Sequence, residues 1–240
     1  GLEIKDFIKQ LKYFKNKYFF LSSNEIIDIL QKKLEFPKNG IWLTFDDGLK
    51  DHYDYVLPEL IKMKITASFF PSIYPIIENK LIDAHLIHFI LAQEQNIEKL
   101  MYELKLQCKK NGINEKKFNS YLERINTKDR FDNNKVIFFK RMLQREIDVE
   151  IRKKILDDMF KKILNTNMKI FSKKLYLSEN NIKEMVANNM TFGNHTYSHP
   201  WLNKLNLLKQ EKEIKKSLVH FKKLGISNDK WMMCYPYGAY

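Results

Sequence analysis

The sequence predicts an α/β fold, and three observations support that prediction. Short apolar runs at residues 41–45, 67–71 and 190–194 are bounded by turn residues, a pattern typical of buried strands. Patterns of helical period separate these runs, so strand and helix alternate along the chain. Between residues 81 and 174, by contrast, apolar residues recur only at helical spacing, with one glycine and no proline. That stretch predicts three or four helices, either inserted into the fold or lying over a site as a lid.

The first part of the chain is predicted to run helix, helix, strand, helix, strand. Residues 3–15 place their apolar side chains on one helical stripe. Ser22, with Glu25 three positions later, forms a capping box that opens the second helix. A third helix or a loop begins at about Asp51, between the first two apolar runs, and residues 59–62 are expected to be helical. A strand–helix–strand order of this kind predicts two parallel strands in one sheet.

The last part of the chain repeats the alternation. We expect a strand at residues 175–177, a helix capped by Ser178, and then the third apolar run, which ends at His195. A long charged helix at residues 207–224 leads to a final strand at residues 231–235. Functional groups collect beyond the carboxyl ends of parallel strands. The residues that follow each strand are therefore the first candidates for a site.

Composition limits the class of protein. The chain has 240 residues, enough for one large domain or one domain with an insertion. Its formal net charge is +13, but the lysines are spread along the whole sequence, which favours solvated helices over a nucleic-acid site. No apolar run is long enough to cross a bilayer. Cys108 and Cys234 lie in unrelated contexts without a nearby base, so we expect neither a disulfide scaffold nor a cysteine nucleophile, and a reducing compartment is the default.

Two short stretches supply the residue types that hold a hydrolytic metal. Asp46 and Asp47 follow a predicted strand, and His195 and His199 follow another. A hydrolytic site needs about three protein ligands and an open position for water. Neighbouring side chains on a strand point to opposite sides, so one aspartate can bind metal while the other faces the substrate. Each motif also has a plain interpretation, since the aspartates fit a turn and a helix cap, and the histidines fit a solvated face.

Three motifs together resemble the polysaccharide deacetylase family, the carbohydrate esterases with a NodB-like domain. They are TFDDG at residues 44–48, HTYSHPWL at residues 195–202 and YPYG at residues 235–238. The resemblance implies a distorted, incomplete (β/α) barrel of the NodB type, formed by residues 1–80 and 175–240. Residues 81–174 are then a helical insertion or lid.

The resemblance also implies roles for particular residues. Asp46 would be the catalytic base, and Asp47, His195 and His199 would bind one divalent metal ion, usually Zn²⁺. Tyr237 would offer its backbone N–H to an oxyanion. Tyr235 and Pro236, in the same motif, would contact the substrate. The implied reaction is hydrolysis of an N-acetyl or O-acetyl group on a sugar.

The sequence departs from the family pattern in three ways. Cys234 stands where the third motif often opens with an arginine that pairs with the base. The chain ends at Tyr240, before the family's last two motifs, so we expect the C-terminal part of the barrel and the general acid to be missing; His220, on a charged helix, is a poor substitute. The helical stretch is much longer than in compact members. His85 and His88 near its start are expected to be helix-surface or core residues rather than substrate-binding groups.

The leading hypothesis is therefore a metal-dependent deacetylase that acts on an N-acetylated carbohydrate. One alternative is a hydrolase of another amide on the same scaffold. Another is a non-catalytic glycan-binding or scaffold module with a vestigial site. We expect no nucleic-acid partner, and a cytoplasmic role in building a surface glycan. The sugar and the linkage stay open.

Overall fold

Three short parallel strands form the sheet that carries the site. The structure is a computed structural model that describes residues 2–125, 133–226 and 230–238. Strands β3 (Thr44–Asp46), β4 (Ser68–Phe70) and β5 (Thr191–Phe192) lie side by side in the order β3–β4–β5, and both pairings are parallel. The central strand β4 is entirely buried, because it is paired on both edges and covered on both faces. The predicted parallel pairing of the first two strands is confirmed.

The N-terminal region begins with two helices and a small separate sheet. Helix α1 is Ile4–Lys17 and helix α2 is Ser23–Leu30. The predicted capping box is present, since the Ser22 hydroxyl accepts the Glu25 N–H and the Glu25 carboxylate accepts the Ser22 N–H at 2.7 Å. Strand β1 (Phe19–Phe20) pairs in parallel with β2 (Gly40–Ile41).

The predicted strand at residues 41–45 is in fact two strands in two sheets. The Ile41 carbonyl accepts the Leu21 N–H on the β1 side, while the Leu43 carbonyl accepts the Ser68 N–H on the β4 side. The chain changes partner at Trp42, whose indole N–H donates to the Ser68 hydroxyl at 2.9 Å. An apolar run cannot indicate such a change, because both halves are equally suited to a strand.

A short helical connection joins β3 to β4, as predicted. A π-helical turn at His52–Val56 continues into α3, Leu57–Met63. After β4, helix α4 spans Ile73–Glu78. One apolar core lies between the sheet and these helices, and its most buried members include Leu60, Phe69 and Ile182.

The middle of the chain is helical, but its described residues form more helices than expected. They comprise α5 (Asp83–Gln93), α6 (Ile97–Lys110), α7 (Glu115–Arg124), α8 (Asn134–Arg141), α9 (Val149–Leu164) and α10 (Met168–Leu175), with a π-helical turn at Met142–Glu146. The prediction of three or four was wrong because polar caps divide the stretch. Asn96, Asn114, Asn133, Asp148 and Asn167 each accept an N–H of the helix that follows. A second apolar core, with Ile87, Phe139 and Leu156, holds these helices together.

The C-terminal region contains less strand than predicted. Residue Leu175 still belongs to α10, and Tyr176 makes only an isolated antiparallel bridge with Leu49. The predicted strand at 231–235 is likewise reduced to one parallel bridge between Met233 and Asn194.

The helices of the C-terminal region match the prediction. They are α11 (Glu179–Ala187), capped by Ser178, and α12 (Leu207–Lys223), with short 3₁₀ turns at Leu202–Lys204 and Pro236–Gly238. In the part of the chain that the structure describes, no helix has the length and apolar character needed to cross a membrane.

Candidate metal centre

Asp47 is placed by a tight turn immediately after β3. Its φ of +67° and that of Gly48, +71°, reverse the chain, and the Gly48 N–H donates to the Asp46 carbonyl at 2.9 Å. A Cβ at Gly48 would lie 2.5 Å from Pro71 Cβ, so this close approach also requires glycine. The turn leaves Asp46 exposed and Asp47 partly buried.

His195 and His199 are placed by a compact loop that follows β5. The Asn194 side chain accepts the Thr196 N–H at 2.7 Å, and the Thr196 hydroxyl accepts the His199 N–H at 3.1 Å. Both Thr196 and His199 have a left-handed backbone, with φ of +63° and +58°. The loop therefore brings the two buried imidazoles together, with ring centroids 4.8 Å apart.

The three side chains converge on one point. Oδ1 of Asp47 lies 3.4 Å from Nε2 of His195 and 3.3 Å from Nε2 of His199. One ligand atom from each residue lies within 4.8 Å of the others. Tetrahedral zinc, with bonds of about 2.0–2.1 Å, separates its ligand atoms by about 3.3 Å, close to these distances. Oδ1 is also buried without a hydrogen-bond partner among the described residues, as expected of an atom that binds a cation.

A backbone contact orients the first histidine. Nδ1 of His195 lies 2.8 Å from the carbonyl oxygen of Cys234, which can only accept a hydrogen bond. Nδ1 therefore carries the proton, and in the neutral ring Nε2 presents its lone pair toward Asp47. This arrangement is the usual support for a metal-binding histidine.

The electrostatics of the metal-free centre follow from burial and charge. Burial alone would raise the pKa of Asp47, but the imidazoles of His195, His199 and His85 outweigh burial and hold that pKa well below its usual range. Burial by itself would lower the pKa of His195, yet the nearby Asp47 and the Cys234 carbonyl raise it to about 10. Burial lowers the pKa of His199. Because the raised pKa favours the protonated form of His195, a metal ion would have to displace that proton in order to bind there.

Asp46 lies beside this point and faces solvent. The thiol of Cys234 donates to its Oδ2 at 3.4 Å. In the resembled family an arginine often pairs with the equivalent carboxylate. Here Cys234 contacts Asp46 instead, and its thiol is only a weak, uncharged donor.

Tyr237 completes the cluster of predicted site residues. Its ring stacks on Trp201 with centroids 4.6 Å apart and meets His199 edge-on at 4.7 Å. Burial raises the pKa of its hydroxyl, so the ring stays neutral. The backbone of Tyr237 is left-handed, with φ of +59°. Next to it, Pro236 is buried and Tyr235 is exposed; the roles predicted for these three residues stay predictions.

One residue of the cluster was missed by sequence reasoning. His85, in the first turn of α5, places Nε2 3.3 Å from Oδ2 of Asp47. The expectation that it is only a helix-surface or core residue was wrong. Helical spacing shows which face of α5 a residue occupies, but not that this turn lies over the end of β3. The neighbouring His88 is exposed, as expected, and His220 lies against the ring of Tyr197.

Comparison with known protein families finds one model that matches part of the chain. The family model described as polysaccharide deacetylase matches residues 146–240, which include both histidines and Tyr237. Among curated proteins, none matches the sequence.

Solved structures of deacetylases resemble the chain. A deacetylase of Streptococcus pyogenes, PplD in complex with acetate, is 19% identical, with a TM-score of 0.50 over 99% of this chain and 64% of that one. IcaB from Ammonifex degensii is 17% identical, with a TM-score of 0.47 over 99% of this chain and 67% of that one. A de-N-acetylase from Aggregatibacter actinomycetemcomitans is 15% identical, with a TM-score of 0.47 over 97% and 67%.

The likeness to PplD shows a shared fold, and this chain spans 64% of the length of that structure. The few parallel strands, without a closed barrel in the described residues, agree with the predicted incomplete (β/α) architecture. The chain is thus similar to polysaccharide deacetylases in sequence over residues 146–240 and in fold over nearly its whole length.

Proposed function

We propose that this chain carries the metal centre of a carbohydrate deacetylase that hydrolyses N-acetyl groups on a sugar or polysaccharide. The observation that carries the proposal is the convergence of Asp47, His195 and His199 beside the exposed carboxylate of Asp46. The structure of PplD, which has this fold, was solved with acetate, the product expected of such a reaction.

The donor set fits one divalent cation, and we assign it to Zn²⁺. One carboxylate oxygen and two imidazole nitrogens are a common catalytic zinc set, and they leave a coordination position open. When bound, the ion would polarise the acetyl carbonyl and lower the pKa of a water molecule.

Asp46 is the proposed general base. It is the last residue of β3, and its side chain, unlike that of Asp47, is exposed to the solvent from which substrate arrives. The Cys234 thiol donates to Oδ2 of Asp46, which orients the carboxylate and leaves Oδ1 to take the proton of the attacking water. A base placed in this way contributes about 10²–10⁴-fold to the rate.

Tyr237 is the proposed oxyanion donor, through its backbone N–H. Its packing between Trp201 and His199 fixes that backbone close to the metal ligands. A fixed N–H placed where negative charge develops stabilises the transition state without reorganisation. We assign no general acid to the described residues.

Metal analysis and acetate release test the proposal together. The Asp46→Asn variant should keep its zinc and lose about 10²–10⁴-fold of the acetate release from an N-acetylated oligosaccharide. Asp47→Asn should lose the metal itself, because its Oδ1 faces both imidazoles. Asp51→Asn, a nearby exposed carboxylate, is the matched control and should change neither property.

Two results would contradict the proposal. If the wild-type protein binds no zinc, the proposed metal centre is wrong. Unchanged acetate release by Asp46→Asn would show that Asp46 is not the general base and would favour another group in that role.

A further inference from the structure

We infer that His85, supplied by the helical stretch, is a positioning residue that holds Asp47 so that Oδ1 alone faces the metal. This inference rests on the proposed function, because it concerns the same centre. His85 lies in the first turn of α5, and its side chain is 12% exposed. Its Nε2 lies 3.3 Å from Oδ2 of Asp47, and its Nδ1 lies 2.6 Å from the hydroxyl of Tyr176.

The proton positions follow from the partners. The ionised carboxylate of Asp47 can only accept, so Nε2 of His85 carries a proton. In a neutral imidazole Nδ1 then accepts, and the Tyr176 hydroxyl donates to it. The Tyr176 oxygen in turn accepts the N–H of Ile82 at 3.3 Å. Every donor in this series of hydrogen bonds then meets an acceptor, and the Tyr176 hydroxyl remains a donor because burial raises its pKa.

The two carboxylate oxygens of Asp47 therefore have different surroundings. Oδ2 faces His85, whereas Oδ1 faces His195 and His199 and has no hydrogen-bond partner among the described residues. A carboxylate held at one oxygen cannot rotate freely about its last side-chain bond. The arrangement favours binding of the metal through one oxygen, in the direction of the two imidazoles.

The supports of His85 are themselves fixed. Tyr176 is tied to the turn after Asp47, since the Leu177 N–H donates to the Gly48 carbonyl at 2.9 Å and the Lys50 N–H donates to the Leu175 carbonyl at 2.8 Å. Helix α5 is tied to α9, because Nε of Arg152 lies 2.7 Å from Oδ2 of Asp83, two residues before His85. The helical stretch thus reaches the centre through a rigid first turn.

The test is zinc affinity, measured by competition with a chromophoric chelator in His85→Ala, His85→Gln and Tyr176→Phe. Loss of an outer partner of a metal ligand costs about 10–100-fold in affinity, so His85→Ala should bind zinc that much more weakly. The glutamine amide can still donate to Oδ2, so His85→Gln should recover most of the affinity. Tyr176→Phe keeps the buried ring and should weaken binding in the same direction, by less. His88→Ala, an exposed histidine on the same helix, should bind like wild type.

The outcomes separate this inference from the proposed function. If wild-type protein binds zinc and His85→Ala binds it equally well, the inference fails while the metal centre stands. If His85→Gln binds as weakly as His85→Ala, the histidine acts as a ligand or a packing group rather than as a donor to Asp47, and the positioning role is overturned. Wild-type protein without zinc affinity would instead contradict the proposed function. Thermal unfolding of each metal-free variant serves as the control, because a melting temperature like that of wild type excludes misfolding as the cause of a lower zinc affinity.

Discussion

Substitution of Gly193 by alanine should weaken both the fold and the metal centre. Gly193 follows β5, and its N–H donates to the Phe69 carbonyl at 2.8 Å. A Cβ there would lie 2.2 Å and 2.6 Å from two carbons of the Phe70 ring and 2.9 Å from the Met232 carbonyl oxygen. The new methyl group is thus blocked by a buried ring on one side and by backbone on the other.

The size of the effect follows from this crowding. Forcing an extra methyl group into a packed core costs about 1–3 kcal/mol. For a chain of this size, each kcal/mol lowers the melting temperature by about 2–4 °C, so we expect a decrease of about 2–12 °C. The displaced backbone also carries Asn194, which bonds to Met232 and Cys234, and the Cys234 carbonyl orients His195. Zinc affinity should therefore fall by about 10-fold, the lower end for loss of such support.

Thermal unfolding and chelator competition measure the two effects, with Gly112→Ala as the control. A Cβ at Gly112 meets nothing within 4 Å, although its φ is +82°. That substitution carries only left-handed strain, roughly 1–2 kcal/mol, and should leave zinc affinity unchanged. If Gly193→Ala unfolds at the wild-type temperature and binds zinc like wild type, the contact argument is wrong.

Two further predictions concern titration and thiol access. The pKa of His195 is raised from 6.5 to about 10. In metal-free protein, the protonated imidazole therefore stabilises the fold fully below pH 6.5, and this stabilisation is lost as the pH rises toward 10. Relative to His195→Gln, wild type should lose at most about 1.4 kcal/mol of unfolding free energy per pH unit in that range. Urea unfolding near both pH values measures this, and parallel curves for the two proteins would refute it. Cys108 is fully buried and its pKa is raised to about 12 by burial, so iodoacetamide should modify the partly exposed Cys234 in folded protein and reach Cys108 only after unfolding. Mass spectrometry distinguishes the two sites, and equal labelling of both in folded protein would contradict the burial of Cys108.

The core of the candidate site could be predicted from sequence because strand order determines where strand ends meet. Asp47 and the histidines follow β3 and β5, which both lie beside β4 in parallel, so their carboxyl ends share one edge of the sheet. The capping box at Ser22 is also a local signal, complete within four residues. Predictions of this kind need only neighbouring residues or a parallel sheet.

The parts that sequence did not predict depend on tertiary contacts. Nothing local distinguishes His85 from His88, since both fit helix α5, and only the packing of that helix over the turn after β3 makes one a neighbour of Asp47. Tyrosine is common in strands, yet Tyr176 forms only an isolated β-bridge with Leu49, because no further residues pair on either side. The change of partner at Trp42 is likewise set by which strand lies on each side.

The position of β4 between β3 and β5 has a consequence for synthesis of the chain. The ribosome completes β3, β4 and helix α5 long before it reaches Thr191, so one edge of a buried, mostly apolar strand stays unpaired while the long helical stretch is made. An open apolar edge is a template for association with other chains. Asp47 and His85 can meet during this interval, but the two imidazoles of the candidate metal centre are synthesised only with the strand that closes the edge. Synthesis of β5 and the loop after it therefore both covers the open edge of β4 and brings the last residues of the candidate metal centre into place.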